Sequence, residues 1–211
     1  IDRTLIPILN VTLEKQSNVR VICGDVMRTD LALLVKEWFG EDCSSLRIAA
    51  NLPYYITTDV LTKLMNELPR AQSIAVMIQK EVGDKLLSSP GEDGYGPLAV
   101  MCQYHYNVVR ALDVPAACFN PPPKVDSSFM VLERLETPYV DGGDEAVFTR
   151  LVRSAFAMRR KTLLNNLISG FALNREQAAS YLEAVGLSVQ ARAEELSLED
   201  FAKLSRQLQS L

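Results

Sequence analysis

The sequence is poor in the groups on which most hydrolases and metalloproteins are built. It holds one histidine, His105, and four cysteines, Cys23, Cys43, Cys102 and Cys118, none in a CxxC or other zinc spacing. A single histidine argues against a Ser-His-Asp or Cys-His hydrolase. Scattered thiols read as reduced cysteines of a cytosolic protein, with no metal. The longest apolar runs, such as residues 74–78, are far shorter than a bilayer requires. There is no signal-peptide pattern, no GxGxG loop and no leading Met. A cytoplasmic protein without a membrane partner is expected.

Overall charge is also unhelpful to a nucleic-acid reading, at −4. The distribution reverses that. Residues 147–173 contain no Asp or Glu, yet carry Arg150, Arg153, Arg159, Arg160 and Lys161. The same stretch places Phe148, Leu151, Val152, Ala155 and Phe156 on one helical face. A helix with a buried face and an acid-free basic remainder is the footprint of a phosphate-binding surface. A solvated helix that happens to lack acids fits the composition too.

At 211 residues the chain accommodates a main domain and a smaller one. Its centre is Asn51-Leu52-Pro53-Tyr54. Residues 46–50 read as a buried strand, and Pro53 forces an irregular turn after it. Ile56, Val60, Leu61 and Leu64 follow at helical spacing, with Thr57 or Thr58 as N-cap. An amide and an aromatic ring are thereby set at the carboxyl end of a strand, where open α/β sheets bind ligands. Such a site suits a planar heterocycle: the Asn oxygen and turn carbonyls can accept hydrogens from an exocyclic amine, and Tyr54 can stack. The tetrapeptide alone equally fits an ordinary βα loop with a capping Asn and a core Tyr.

Around it, residues 1–2 read as a strand end and 3–15 as a helix with Leu5, Ile6, Leu9 and Leu13 inward. Residues 19–23 read as a strand running into Gly24-Asp25, and 30–39 as a helix. Strand 73–79 and helix 80–88 continue the alternation of a parallel doubly wound sheet. Residues 90–97 are a turn-rich excursion, mobile by composition. Two closing strands, 104–114 and 128–135, flank a stiff loop with Phe119, three prolines and Lys124. A boundary at 137–144 divides a first domain, 1–137, from a helical one, 138–211. Asn174 with Gln177 and Ser197 with Asp200 look like capping pairs, and Gly186 like a helix C-cap.

NLPYYITT, preceded by Gly24-Asp25 and followed by VMIQKEVGDKL, PGEDGYGPLAV, FNPPPKVDSSF, AFAMRRKTLLNNL and RAEELSLEDFAKL, forms a specific set in order. It resembles the ribosomal RNA small-subunit adenine dimethyltransferases, the KsgA family, across essentially the whole chain. Ala99 departs from the Ser common there. The resemblance implies an α/β fold, a Rossmann-like class I methyltransferase sheet, plus a small all-α C-terminal domain that binds RNA. It implies methyl transfer from S-adenosylmethionine to two adjacent adenosines near the 3′ end of small-subunit rRNA, within ribosome biogenesis. The partner would be the immature small ribosomal subunit, and the enzyme a monomer.

By the same resemblance Asp25 and the Val26 amide would bind the cofactor adenine, although a carboxylate after a strand also reads as a plain helix cap. Asn51 would face both the cofactor and the target amine, with the Leu52 or Pro53 carbonyl accepting the second hydrogen. Tyr54 and Phe119 would sandwich the flipped adenine. Lys124, Arg150, Arg153, Arg159, Arg160 and Lys161 would contact RNA. The family's glycine loop and ribose acid lie upstream of the residue matching Ile1, so an N-terminally truncated piece, poorly stable and binding the cofactor weakly or not at all, is expected. Alternatives are a non-catalytic RNA-binding assembly factor and a large-subunit rRNA methyltransferase of the erythromycin-resistance type.

Overall fold

The computed structural model describes residues 2–40 and 45–209. Ile1 and Cys43 lie outside them. Four strands, β1 (Arg47–Asn51), β2 (Ser73–Gln79), β3 (Tyr106–Val114) and β4 (Ser127–Arg134), form one sheet in the order β1-β2-β4-β3. β1 and β2 are parallel, joined by helix α3 (Thr57–Glu67), whereas β4 runs antiparallel to both β2 and β3. The expected α/β architecture is therefore present, with a mixed sheet.

Period-two alternation explains why β2 sits centrally. Ile74, Val76 and Ile78 are fully buried, and they share a core with Val60, Leu61 and Leu64 of α3 and with Met130 and Leu132 of β4. Helix α4 (Lys80–Leu87) follows β2 directly, and helix α5 (Pro97–His105) starts with its proline at the first helical position. This helix occupies residues left unassigned by sequence reading. It also takes the first two residues expected of β3.

A second core lies among α6 (Glu145–Ala155), α7 (Leu163–Phe171), α8 (Arg175–Ala184) and α9 (Leu198–Leu208). Helix α5 belongs to both: Cys102 packs in the sheet core, while Ala99, Val100 and Tyr104 pack with the helices. Tyr104 stacks on Phe148 at 3.9 Å, with 15° between the rings. Gly142 makes that approach possible, since a Cβ there would lie 2.7 Å from the Phe148 ring and 2.9 Å from the Tyr104 oxygen. Both capping boxes form as expected, and Gly186 takes φ +77° just past α8.

Several expectations are corrected. Residues 19–23 form no strand, because no described neighbour pairs with them and a lone strand leaves its backbone groups unmatched. The outer edge of β1 is likewise unpaired among the described residues. Asp2 is not in a strand; its carboxylate accepts from the Thr4 amide at 2.9 Å. The first helix, α1, spans only Leu5–Thr12 and buries nothing: Leu5 is 49% exposed and Val11 76%.

Helix α2 (Leu31–Phe39) is capped by Asp30. Neither Thr57 nor Thr58 caps α3, whose N-cap is Ile56 after a 3-10 turn, Tyr54–Ile56. The excursion at 90–97 is anchored, with Tyr95 in the helical core and the Gly91 amide donating to Glu194 O at 2.7 Å. Residues 147–173 form two helices with a turn between, not one. The Cys102 thiol is pushed up to about 12 by burial, whereas Cys23 and Cys118 are exposed. No helix among the described residues is long and apolar enough to cross a membrane.

Candidate active site

Asn51 ends β1 opposite Met77, and the ladder continues one step as the Leu52 amide donates to Met77 O at 3.1 Å. The Leu52 side chain then buries itself, which anchors the turn. Pro53, at φ −60° and ψ 132°, redirects the chain into the 3-10 turn. Its carbonyl is fully engaged, accepting from the Ile56 amide and from Thr57 Oγ1, both at 3.2 Å. Thr57 Oγ1 also reaches Tyr54 O at 3.3 Å, so its hydroxyl ties the turn together instead of capping the helix.

Two acceptors are left over. The exposed Asn51 amide and the Leu52 carbonyl make no hydrogen bond within the described residues. They lie next to each other on a turn whose following carbonyls, of Pro53 and Tyr54, are both used. Of the two carbonyls that sequence reading left open, only that of Leu52 is uncommitted.

The strand register gathers the other parts at this end of the sheet. Ser127, the first residue of β4, stands opposite Gln79 at the end of β2 and opposite Val114 at the end of β3. The β3–β4 loop therefore projects from the same edge as the Asn51 turn. Asp126 pins the loop's base: its carboxylate accepts from the Ala116 amide at 2.9 Å, and its carbonyl from the Lys80 amide at 3.0 Å. A 3-10 turn, Ala116–Cys118, presents a half-buried Phe119, followed by a cis Asn120–Pro121 bond. The Tyr54 hydroxyl lies 2.6 Å from Ser127 Oγ.

Beside them, Asp113 bonds Ser128 Oγ at 2.7 Å and Lys80 Nζ at 3.1 Å. Those two partners, the serine first, hold its carboxyl below the ordinary value. Sequence reading named neither Ser127 nor this Asp113–Lys80 pair. The serine stands in the quoted FNPPPKVDSSF segment, but no periodicity marks a hydroxyl whose partner is 73 residues away.

Asp25 caps a local turn. One carboxylate oxygen accepts from the Met27 amide at 2.9 Å, and Arg28 stands 3.7 Å from the other. Val26 packs on the sheet core. The Leu31 amide bonds Glu67 at 2.9 Å, seating α2 on the far end of α3, and no hydrogen bond or ion pair joins Asp25 to the Asn51 turn.

The basic residues divide into two kinds. Arg150 is committed: its Nε and Nη2 donate to Gly170 O at 3.1 and 2.8 Å, and its guanidinium lies 4.5 Å from the Phe171 ring centre. Arg153, Arg159, Arg160, Lys161 and Lys124 are exposed and in no ion pair among the described residues. Arg159 to Lys161 sit on the turn between α6 and α7. Buried Asn166 shapes that turn, accepting from the Met158 amide and donating to the Ala155 carbonyl. A cavity of about 410 Å³ runs between Thr58 and Thr62 of α3 and Glu145, Thr149 and Arg153 of α6. It joins the region just past the Asn51 turn to the basic helix.

A mixed sheet of this order, with an Asn-Leu-Pro-Tyr turn at the carboxyl end of a parallel strand and helices appended, has the architecture of the Rossmann-like rRNA methyltransferases. A dimethyladenosine transferase from Plasmodium falciparum superposes with TM-score 0.78 over 100% of this chain and 80% of that one, at 22% identity. The 23S rRNA methyltransferase ErmE superposes at 0.66 over 99% and 80%, at 21% identity. These identities speak for the fold alone.

The sequence goes further. Residues 1–210 match the ribosomal RNA adenine dimethylase family, and the chain belongs to that family. It is 43% identical over 211 residues to the ribosomal RNA small subunit methyltransferase A of Bacillus mycoides (strain KBAB4). The same identity holds for its counterpart in Bacillus cereus (strain B4264). Each alignment covers 99% of this chain and 72% of the relative.

Proposed function

We propose that this chain is an S-adenosylmethionine-dependent rRNA adenine dimethyltransferase, acting on two adjacent adenosines near the 3′ end of small-subunit rRNA. Residues 1–137 carry the transfer and 138–211 grip the RNA of an immature small subunit. The protein works as a cytoplasmic monomer. The observation that carries this reading is the pair of uncommitted acceptors, Asn51 Oδ1 and Leu52 O, on a turn at the same sheet edge as Phe119.

The residues fit the cofactor. The free Asn51 amide suits its amino-acid end, and Asp25 keeps one carboxylate oxygen clear of the Met27 amide for an adenine amine. S-adenosylmethionine supplies an electrophilic methyl group on a sulfonium leaving group.

The chain's task is to make a poor nucleophile competent. An adenine amino nitrogen shares its lone pair with the ring. Asn51 Oδ1 and the Leu52 carbonyl accept its two hydrogens, which favours a pyramidal nitrogen and localises that pair. Tyr54 and Phe119 hold the base between their faces, and proximity supplies much of the remaining acceleration. Once methylated, the nitrogen is acidic enough to lose its proton to water, so no strong base is needed. Space for the first methyl permits a second cycle.

The test is methyl transfer from labelled S-adenosylmethionine to small ribosomal subunits that lack the modification, with the labelled nucleotides mapped by primer extension. Label on two adjacent adenosines near the 3′ end is expected. Label confined to large-subunit rRNA, or none above a no-enzyme control, overturns the assignment.

A further inference from the structure

Tyr54 is held at both ends. Pro53 fixes its approach, and its hydroxyl meets Ser127 Oγ at 2.6 Å. The neighbouring Tyr55, in contrast, is 84% exposed, and its hydroxyl makes no hydrogen bond among the described residues. Ser127 itself is fully buried and paired on both sides, with Gln79 and with Val114. Its side chain has this one partner among the described residues. A single hydrogen bond thus joins the Asn51–Tyr54 turn to the base of the loop carrying Phe119.

We propose that Ser127 is a positioning residue: it fixes where the Tyr54 ring stands before an adenine arrives. The proposal rests on reading Tyr54 as the stacking platform. A tyrosine on a turn has two side-chain torsions to lose on binding. A bond from its tip to a buried serine at the end of the sheet restrains the swing about the first of them beforehand, so that part of the cost is not met when the base enters. It also keeps the Tyr54 ring in a set relation to Phe119, because both are referred to the β3–β4 loop base.

The test compares Ser127→Ala, Ser127→Thr, Tyr54→Phe, Tyr54→Ala and the double variant Ser127→Ala/Tyr54→Phe. KM and kcat for rRNA are measured, together with ¹³C relaxation of a labelled Tyr54 ring. Ser127→Ala and Tyr54→Phe remove the same bond. Each should raise KM about 2- to 12-fold with little change in kcat, as one neutral hydrogen bond allows. The double variant should be no worse than either single one. Ser127→Thr restores KM, and the ring gains motion in Ser127→Ala.

Additive effects, or a ring as ordered in Ser127→Ala as in the parent, overturn the positioning role. If Tyr54→Ala raises KM and Ser127→Ala does not, that role alone falls. If Tyr54→Ala leaves KM unchanged, the stacking reading fails and takes the positioning role with it.

Discussion

His105 Nε2 stands 3.5 Å from Glu145 Oε1, the last residue of α5 facing the first of α6. Burial depresses the histidine below its ordinary 6.5, Glu145 raises it in part, and Arg134 lowers it further. The folded chain therefore holds His105 neutral where the unfolded chain is already taking up a proton. Stability rises with pH through that window, is complete above about 6.5, and declines as pH falls through the unfolded value toward the lowered folded one. Urea midpoints between pH 5 and 7 should show this slope, and His105→Gln should flatten it. The carboxyls of Asp113 and Glu67 lie below their ordinary values, so their own losses come at lower pH. An unchanged slope in His105→Gln would assign the dependence elsewhere.

Asn51→Ala should cost methyl transfer roughly 10²–10³-fold, by analogy with removing one preorganised hydrogen-bonding group from a reacting centre. Because the amide bonds nothing in the fold, stability should move by no more than about 0.5 kcal/mol. Turnover assays alongside urea unfolding check both halves. Near-normal turnover would remove Asn51 from the chemistry.

Reversing charge at Arg159, Arg160 and Lys161 should weaken binding to ribosomal particles without touching cofactor affinity. For every phosphate no longer neutralised, the slope of log K against log salt should fall by about 0.7–0.9. Arg150→Ala should behave differently, since its guanidinium is spent on Gly170 O and the Phe171 ring. Its effect should appear in the melting temperature first. Salt titrations that gave Arg150 the same slope change as Arg160 would contradict this division.

Asn166→Leu should destabilise the chain by about 1–3 kcal/mol, because the buried Ala155 carbonyl and the part-buried Met158 amide lose their partner. The basic turn should loosen with it. Denaturant midpoints and particle-binding assays on the same variant would show whether the two losses travel together.

Much of this was legible in the chain. β2 falls on the apolar run 73–79, and both capping boxes form where Asn174 and Ser197 precede their partners by three residues. Local chemistry decides such features. Residues 19–23 have the same strand-like composition, but a strand exists only with a neighbour, and none is described beside them. The inward face expected of α1 needed a surface to cover, and Leu5 and Leu9 meet solvent. α5 was hidden behind glycines and prolines that read as loop, although Pro97 opens a helix. At the candidate site, the Asn51 turn stood out through residue type. The commitment of the Pro53 carbonyl did not, because it depends on where the Ile56 amide and the Thr57 hydroxyl come to rest. Asn166 was invisible for the same reason: its importance lies in two backbone groups, which every residue has.

Cys102 and Tyr104 lie two positions apart on α5, yet one is packed beneath the sheet and the other among the helices. A helix cannot melt on one face only. Loss of either core takes α5 with it and strips the other of part of its wall, so the sheet and the helices are bound to unfold together. Calorimetric and van't Hoff enthalpies should then agree for the main transition, and isolated residues 138–211 should melt less cooperatively than the whole chain.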